Sequence, residues 1–349
     1  MAPRRRRGAI AAAGALAATA AGVAGVAVSR SPVLRKQAGM AVGFVRGVDH
    51  PPSAPVPPTM LPGRIVLLPE RGEVFVRDSG PREGPDTPTL LLLHGWTVGA
   101  DLNFFTIYEQ LARSYRVIAL DHRGHGRGMR STELFSLEDC ADDAAALLGV
   151  LGVAPGRTIA LGYSMGGPIA LLLARRHPGL ISALVSQATA LEWRATLADR
   201  SKWRFLSVAE VGLRVSSGDG VVERVIDQAV KASPHLEPIR PWLEAEIQRG
   251  LGRSLIDAGR ALSLFDSRPW AKELRIPAVV CVTTQDRLVL PAKQRALARA
   301  LRAEVLEIAG DHDVTLVDGA TYAAVTQVAV DRAAGLLSAP SRSRHKARG

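Results

Sequence analysis

Ser164 stands between two glycines in Gly162-Tyr-Ser-Met-Gly166. The apolar run Thr158–Leu161 precedes it and the helix-forming run Gly166–His177 follows. This context reads as a sharp strand-to-helix turn that strains the serine backbone and lifts its hydroxyl out of the sheet edge. The glycines leave room for the turn. The following helix points its amino end at the serine, which favours developing negative charge there. The plainer alternative is a serine that only caps a helix. A serine hydroxyl is a poor nucleophile at neutral pH, so it needs a base, and the base needs an orienting acid.

For this turn the chain order is serine, acid, histidine. Asp286 in Thr283-Thr-Gln-Asp and His312 in Gly310-Asp-His supply it, each just past an apolar strand-like run. Singly, Asp286 reads as a turn aspartate ahead of Pro291 and His312 as a surface loop histidine. Together they place three reactive groups at the carboxyl ends of strands, where open parallel sheets carry their sites. Glu192 is an alternative acid, since it follows another strand-like run. Asp311 and Asp313 are too close in sequence to His312 to curl back to its ring. Acyl transfer also needs donors for an oxyanion. The backbone N–H of Met165 is one candidate, and the N–H of Trp96 in the loop His94-Gly95-Trp96 is the second. His94 reads as a structural residue of that loop, with a second catalytic histidine as the alternative.

The elements that must hold these residues alternate. Arg64–Leu68 and Glu73–Arg77 form an opening hairpin. Thr89–Leu93, Val117–Leu120, Thr158–Leu161, Ala183–Val185, Ala278–Val282 and Glu304–Ile308 read as strands covered on both faces. Helices are expected near 101–113, 137–152, 166–177, 291–302 and 318–337. Such alternation predicts an α/β fold with a mostly parallel sheet and helices on both faces. Residues 190–272 break the rhythm, with helical segments and no convincing strand. They read as a helical insertion. Four of the five tryptophans fall in it, Trp193, Trp203, Trp242 and Trp270. They either glue the insertion to the core or line an apolar substrate cavity.

Of the 349 residues, 47% are hydrophobic and 22% charged, which excludes wholesale disorder. Cys140 and Cys281 are too few for a disulfide scaffold or a cysteine zinc cluster and read as buried thiols. The net charge of +11 suggests a polyanion binder until it is divided. Residues 1–50 set eight basic side chains against Asp49, and residues 331–349 set five against Asp331. Residues 51–330 therefore carry no net charge, and a nucleic-acid partner is not expected. Residues 339–349 form a basic, solvated tail.

Residues 1–30 read as an N-terminal signal or anchor segment. Arg4–Arg7 precede the uncharged stretch Gly8–Val28, long enough to span a bilayer but rich in weakly apolar alanine and glycine. Export or membrane anchoring through residues 8–28 is expected. A cleaved signal, a twin-arginine signal and a helix retained on a cytoplasmic protein are the competing readings. Residues 31–62 end in a stiff proline-rich linker, and the folded core should start near Gly63.

With these residues in view, the chain resembles the α/β-hydrolase superfamily, in its serine esterase, lipase and cofactor-free peroxidase-like branch. The resemblance rests on His94-Gly95-Trp96, Asp121-His-Arg-Gly-His-Gly126, Gly162-Tyr-Ser-Met-Gly-Gly167, Thr284-Gln-Asp286 and Gly310-Asp-His312, and covers residues 63–338. It implies an eight-stranded sheet in a core of residues 63–189 and 273–338, and a helical cap at 190–272. It also implies Ser164, Asp286 and His312 as nucleophile, acid and base, with Asp121 at a structural turn. The oxyanion loop lacks the HGGG form of many lipases, and Arg127-Gly128 replaces a usual small polar residue. Serine at 164 argues against epoxide hydrolases and dehalogenases.

The function expected is hydrolysis of carboxylic esters with an apolar acyl or alcohol group, through an acyl-enzyme. The substrate would be a small-molecule ester or a lipid, and neither metal nor organic cofactor is expected. The alternatives are an acyltransferase or cofactor-free perhydrolase with the same triad, and a non-catalytic binding protein on this fold.

Overall fold

Thr89–Leu93 shows how the sequence builds the sheet. All five residues are buried, as a continuous apolar strand requires. Successive side chains point to opposite faces. Leu91 and Leu93 enter one core cluster with Cys140, Leu147 and Ile169. Leu90 and Leu92 enter the other with Phe104, Tyr108 and Tyr322. The sheet is thus the middle layer of three.

The computed structural model describes residues 57–338, apart from 58–59, 83–86, 132, 250–251 and most of 195–232. The signal or anchor segment, nearly all of the linker and the basic tail fall outside the described residues. Eight strands form one sheet: β1 (Gly63–Leu68), β2 (Gly72–Asp78), β3 (Thr89–Leu93), β4 (Arg116–Leu120), β5 (Thr158–Tyr163), β6 (Ile181–Gln187), β7 (Ala278–Thr283) and β8 (Glu304–Ile308). Their order is β1-β2-β4-β3-β5-β6-β7-β8. β1 and β2 form the expected hairpin, with Ile65 opposite Phe75. β2 pairs antiparallel with β4, and β3 to β8 run parallel. Among the described residues the helices are α1 (Ala100–Phe104), α2 (Tyr108–Ala112), α3 (Leu137–Val150), α4 (Gly166–Arg176), α5 (Arg240–Arg249), α6 (Gly252–Leu264), α7 (Pro291–Leu301), α8 (Val314–Val317) and α9 (Gly319–Ser338).

Local chemistry sets several of these ends. The Ser136 hydroxyl accepts the Asp139 N–H at 2.9 Å and caps α3. Pro291 opens α7, where its missing N–H costs nothing. The single helix expected over 101–113 is instead two short ones. The β-branched pair Thr106-Ile107 lies at the break, and the Thr106 hydroxyl donates to the Thr315 carbonyl at 3.4 Å.

The insertion begins and ends at one place, because Glu192 and Asp266 form an antiparallel bridge. Its tryptophans are packing residues. Trp242 stands edge-on to Phe105 at 5.2 Å, and Trp270 stands edge-on to Phe265 and lies under the Arg175 guanidinium. The Trp203 indole N–H donates to the Trp193 carbonyl at 2.9 Å. Cys140 and Cys281 are both free and buried, in the core clusters on opposite faces of the sheet. Among the described residues no helix is long and apolar enough to cross a membrane.

Candidate active site

β5 ends at Tyr163 and α4 begins at Gly166, so Ser164 must turn the chain within two residues. Its φ is +52°, a conformation rare for a side chain larger than hydrogen. Two backbone bonds hold it there. The Ser164 N–H donates to the Gln187 carbonyl at 2.9 Å, and the Gly167 N–H donates to the Ser164 carbonyl at 3.0 Å. Glycine is obligatory around it. A Cβ on Gly166 would overlap the Leu93 carbonyl, and one on Gly162 would overlap the Gly166 carbonyl.

His312 comes from the loop after β8 and Asp286 from the loop after β7. His312 Nε2 lies 3.0 Å from Ser164 Oγ, and its Nδ1 lies 2.8 Å from Asp286 Oδ2. The Asp286 carboxylate is fully occupied. Oδ2 also accepts from the Thr283 hydroxyl at 2.7 Å and the Gln294 amide at 3.2 Å, and Oδ1 accepts the Leu288 and Val289 N–H groups at 2.8 Å each. Burial alone would raise this carboxyl, but the His312 ring and these hydrogen bonds hold it below its usual range. The Tyr163 hydroxyl donates to the His312 carbonyl at 2.8 Å and fixes the loop behind the ring.

The other acids are engaged elsewhere. Glu192 pairs with Lys293 at 3.0 Å. Asp311 accepts the N–H groups of His312 and Arg287 and pairs with the Arg287 guanidinium. Asp286 is thus the acid on the ring. Thr283, Gln294 and Tyr163 carried no signal in the sequence, because their contacts join elements far apart in the chain.

Met165 follows the serine and is the N-cap of α4, while Gly95 and Trp96 line the cavity across from it. His94 has no exposed surface. Its Nε2 accepts the His122 N–H at 2.9 Å, so Nδ1 carries the proton and donates to the Gly95 carbonyl at 2.7 Å. Burial pushes the imidazole down to about 4. It is a neutral structural group.

Asp121 holds the same region, accepting the Ala100 N–H at 2.7 Å and the Arg127 N–H at 2.8 Å. Gly126, at φ +46°, has no room for a Cβ beside that carboxylate. Arg127, in place of the usual small polar residue, stacks on Phe75 at 3.9 Å and reaches Asp101 and Glu246 of α5. It ties the core to the insertion. Burial pushes the Glu246 carboxyl up to about 7 against the pull of Arg127.

Ser164 and His312 open into a cavity of about 160 Å³. Its walls include Trp96, Val98, Leu102, Leu288 and Leu316, so it is mainly apolar. Among the described residues none of the four insertion tryptophans lines it; only Trp96 does. No group of histidine, cysteine and carboxylate side chains among the described residues is arranged to hold a metal.

A family model described as the alpha/beta hydrolase fold matches residues 88–224. A bifunctional esterase/perhydrolase of Acinetobacter calcoaceticus is 33% identical over 106 residues, 30% of this chain and 37% of that one. A monoacylglycerol lipase of Mycolicibacterium smegmatis is 28% identical over 241 residues, 66% of this chain and 80% of that one. Among solved structures, a hydrolase from Pseudomonas aeruginosa superposes with a TM-score of 0.63 at 19% identity, covering 77% of this chain and 98% of the other. The enol-lactonase of Burkholderia xenovorans gives 0.60 at 20%, covering 77% and 100%. These likenesses agree with the sheet order and the strained turn. The chain has the α/β-hydrolase fold, and residues 88–224 match the model of that family.

Proposed function

We propose that this hydrolase cleaves small carboxylic esters with an apolar acyl or alcohol group, with Ser164, His312 and Asp286 as its triad. The observation that carries this reading is the hydrogen-bonded chain from Ser164 Oγ through His312 to Asp286, opening into an apolar cavity. His312 Nε2 takes the Ser164 proton as Oγ attacks the ester carbonyl. The carbonyl oxygen becomes an oxyanion held by the N–H groups of Met165 and Trp96. His312 then gives its proton to the leaving alcohol, which departs as the acyl-enzyme forms. Water, deprotonated by His312, attacks the acyl carbon and releases the acid and Ser164. Asp286 keeps the ring in its tautomer and offsets its transient charge.

The test is hydrolysis of p-nitrophenyl esters from acetate to palmitate. The expected optimum is a short acyl chain, with activity falling by about 10⁴-fold or more in Ser164→Ala. A folded protein that hydrolyses none of them and does not react with a fluorophosphonate would instead be a binding protein.

A second use of the same acyl-enzyme is transfer to hydrogen peroxide, which forms a peracid. The relative named as a bifunctional esterase/perhydrolase supports it. Peracid formation from an ester and peroxide, lost in Ser164→Ala, is its test. The basic and apolar runs within residues 1–30 support export or anchoring of this enzyme. Fractionation of cells expressing the full chain and a variant lacking residues 1–30 tests it.

A further inference from the structure

The loop His94-Gly95-Trp96 has to present one backbone N–H to a reacting oxygen, and a loop of that size needs fixing. A peptide unit is planar and trans, so its N–H and C=O point in opposite directions. The carbonyl of Gly95 and the N–H of Trp96 belong to one such unit. The His94 ring holds that carbonyl from the buried side at 2.7 Å. The peptide before it is held by a second side chain. The Gly95 N–H donates to Asn103 Oδ1 at 2.7 Å.

Asn103 belongs to α1, which is clamped from below. Arg77 binds Asp101 of the same helix through Nε at 3.0 Å and through Nη2 at 2.8 Å. Arg127 and the Tyr108 hydroxyl bind Asp101 as well. The helix is therefore a rigid platform for the asparagine.

The Asn103 side chain is placed for more than packing. Asn103 is 3% exposed, yet it lines the cavity that contains Ser164. The position where a Cβ on Gly95 would sit is 3.3 Å from Ser164 Cβ and 3.4 Å from Asn103 Oδ1, so both side chains close on one point. Because an N–H must meet an acceptor, the carboxamide oxygen faces Gly95, and the amide Nδ2 occupies the other branch of the fork. That Nδ2 has no hydrogen-bond partner among the described residues. It is not among the buried side-chain nitrogens left without a partner, so it faces the cavity, where a ligand oxygen can accept from it.

We propose that Asn103 is a positioning residue of this site: its oxygen fixes the Gly95 amide, so that the next peptide aims the Trp96 N–H at the oxyanion, and its amide nitrogen offers the substrate carbonyl a further donor. This rests on the triad reading of Ser164. It makes the loop's geometry depend on a side chain eight residues downstream.

Asn103→Ala removes both ends of the fork. The expected result is a fall in kcat of about 10- to 100-fold with KM of a short ester changed by less than about threefold. The affinity of a boronic acid, whose tetrahedral adduct on Ser164 resembles the transition state, should fall in parallel with kcat. Asn103→Asp keeps an acceptor for Gly95 but sets a carboxylate beside the developing oxyanion. Its kcat relative to the wild type should therefore rise as pH falls and the carboxylate protonates. Melting temperatures of both variants separate a folding defect from a site defect.

Unchanged kcat and boronate affinity in folded Asn103→Ala would overturn the proposal. So would a loss confined to melting temperature, or an Asn103→Asp ratio that is flat with pH. A wild type that neither turns over esters nor labels with fluorophosphonate defeats the triad reading itself, a different outcome from any of these.

Discussion

Histidines occupy two contrasting regions beside the nucleophile turn. His312 sits where two loops meet at the cavity, with a carboxylate on one nitrogen and the Ser164 hydroxyl on the other. His94, His122 and His125 are packed together behind the loop His94-Gly95-Trp96, with the His122 and His125 ring centroids 4.3 and 5.4 Å from that of His94. None of the three is more than 1% exposed. No carboxylate hydrogen-bonds their rings among the described residues, and burial drives His94 to about 4 and His125 to about 3. Neither ring nitrogen of His122 has a partner among the described residues. The contrast is one of surroundings: a carboxylate and a hydroxyl flank the His312 ring, an arrangement suited to proton transfer, and the buried three lack both. Without both, burial makes each of them a neutral wedge.

The sharpest way to break this contrast is to exchange the expected losses. His312→Gln should lower kcat by about 10⁴- to 10⁶-fold and leave the melting temperature nearly unchanged. His125→Gln should do the reverse, lowering the melting temperature while the folded fraction keeps its turnover. Kinetics and thermal melts on the same samples decide it. Next in size is the acid. Asp286→Asn should cost about 10⁴-fold in kcat, since the ring loses both its tautomer and its counter-charge. Glu192→Gln, which touches Lys293 instead, should stay within about threefold. A larger loss in Glu192→Gln would move the acid.

Acid stability sharpens the other half. The three buried imidazoles are neutral in the folded state, and each takes a proton near 6.5 once unfolded. The unfolded chain therefore binds more protons as pH drops below 6.5, so stability falls with pH. The loss continues to about 4 for His94 and to about 3 for His125. Each histidine contributes a slope of about 1.4 kcal/mol per pH unit within its window. Urea melts between pH 7 and 4.5 should show it, and His125→Gln should remove one such share. A stability that is flat over that range would contradict the neutral cluster. The smallest expected effect lies where the insertion meets the Trp96 ring. A Cβ on Gly259 of α6 would come within 2.5 Å of the Trp96 ring. Gly259→Ala should destabilise by about 1–3 kcal/mol through overcrowding, and Trp96→Leu in the same chain should relieve part of it. Chemical denaturation of the single and double variants measures the coupling.

Much of this was legible in the chain. Continuous apolar runs such as Thr89–Leu93 gave the central strands, because a strand buried on both faces has no polar alternative. Gly162-Tyr-Ser-Met-Gly166 announced the strained turn, since only small residues fit where Leu93 and the Gly166 carbonyl crowd the backbone. The order of Ser164, Asp286 and His312 named the residues that now share hydrogen bonds. Local signals set these features: burial pattern, backbone strain and residue chemistry act within a few positions of each other.

Tertiary structure decided the rest. Position and motif favoured Asp286 over Glu192 as the acid, but only the folded packing sets their partners, His312 and Lys293. Nothing marked Asn103, Gln294 or Tyr163, whose hydrogen bonds cross between elements. The insertion tryptophans read as glue or as cavity wall; packing made them glue, and among the described residues Trp96 is the tryptophan that lines the cavity. Residue type and short-range spacing fix what a group is able to do. Which group meets which depends on long-range packing, where many weak contacts choose one arrangement among many that the same local pattern would allow.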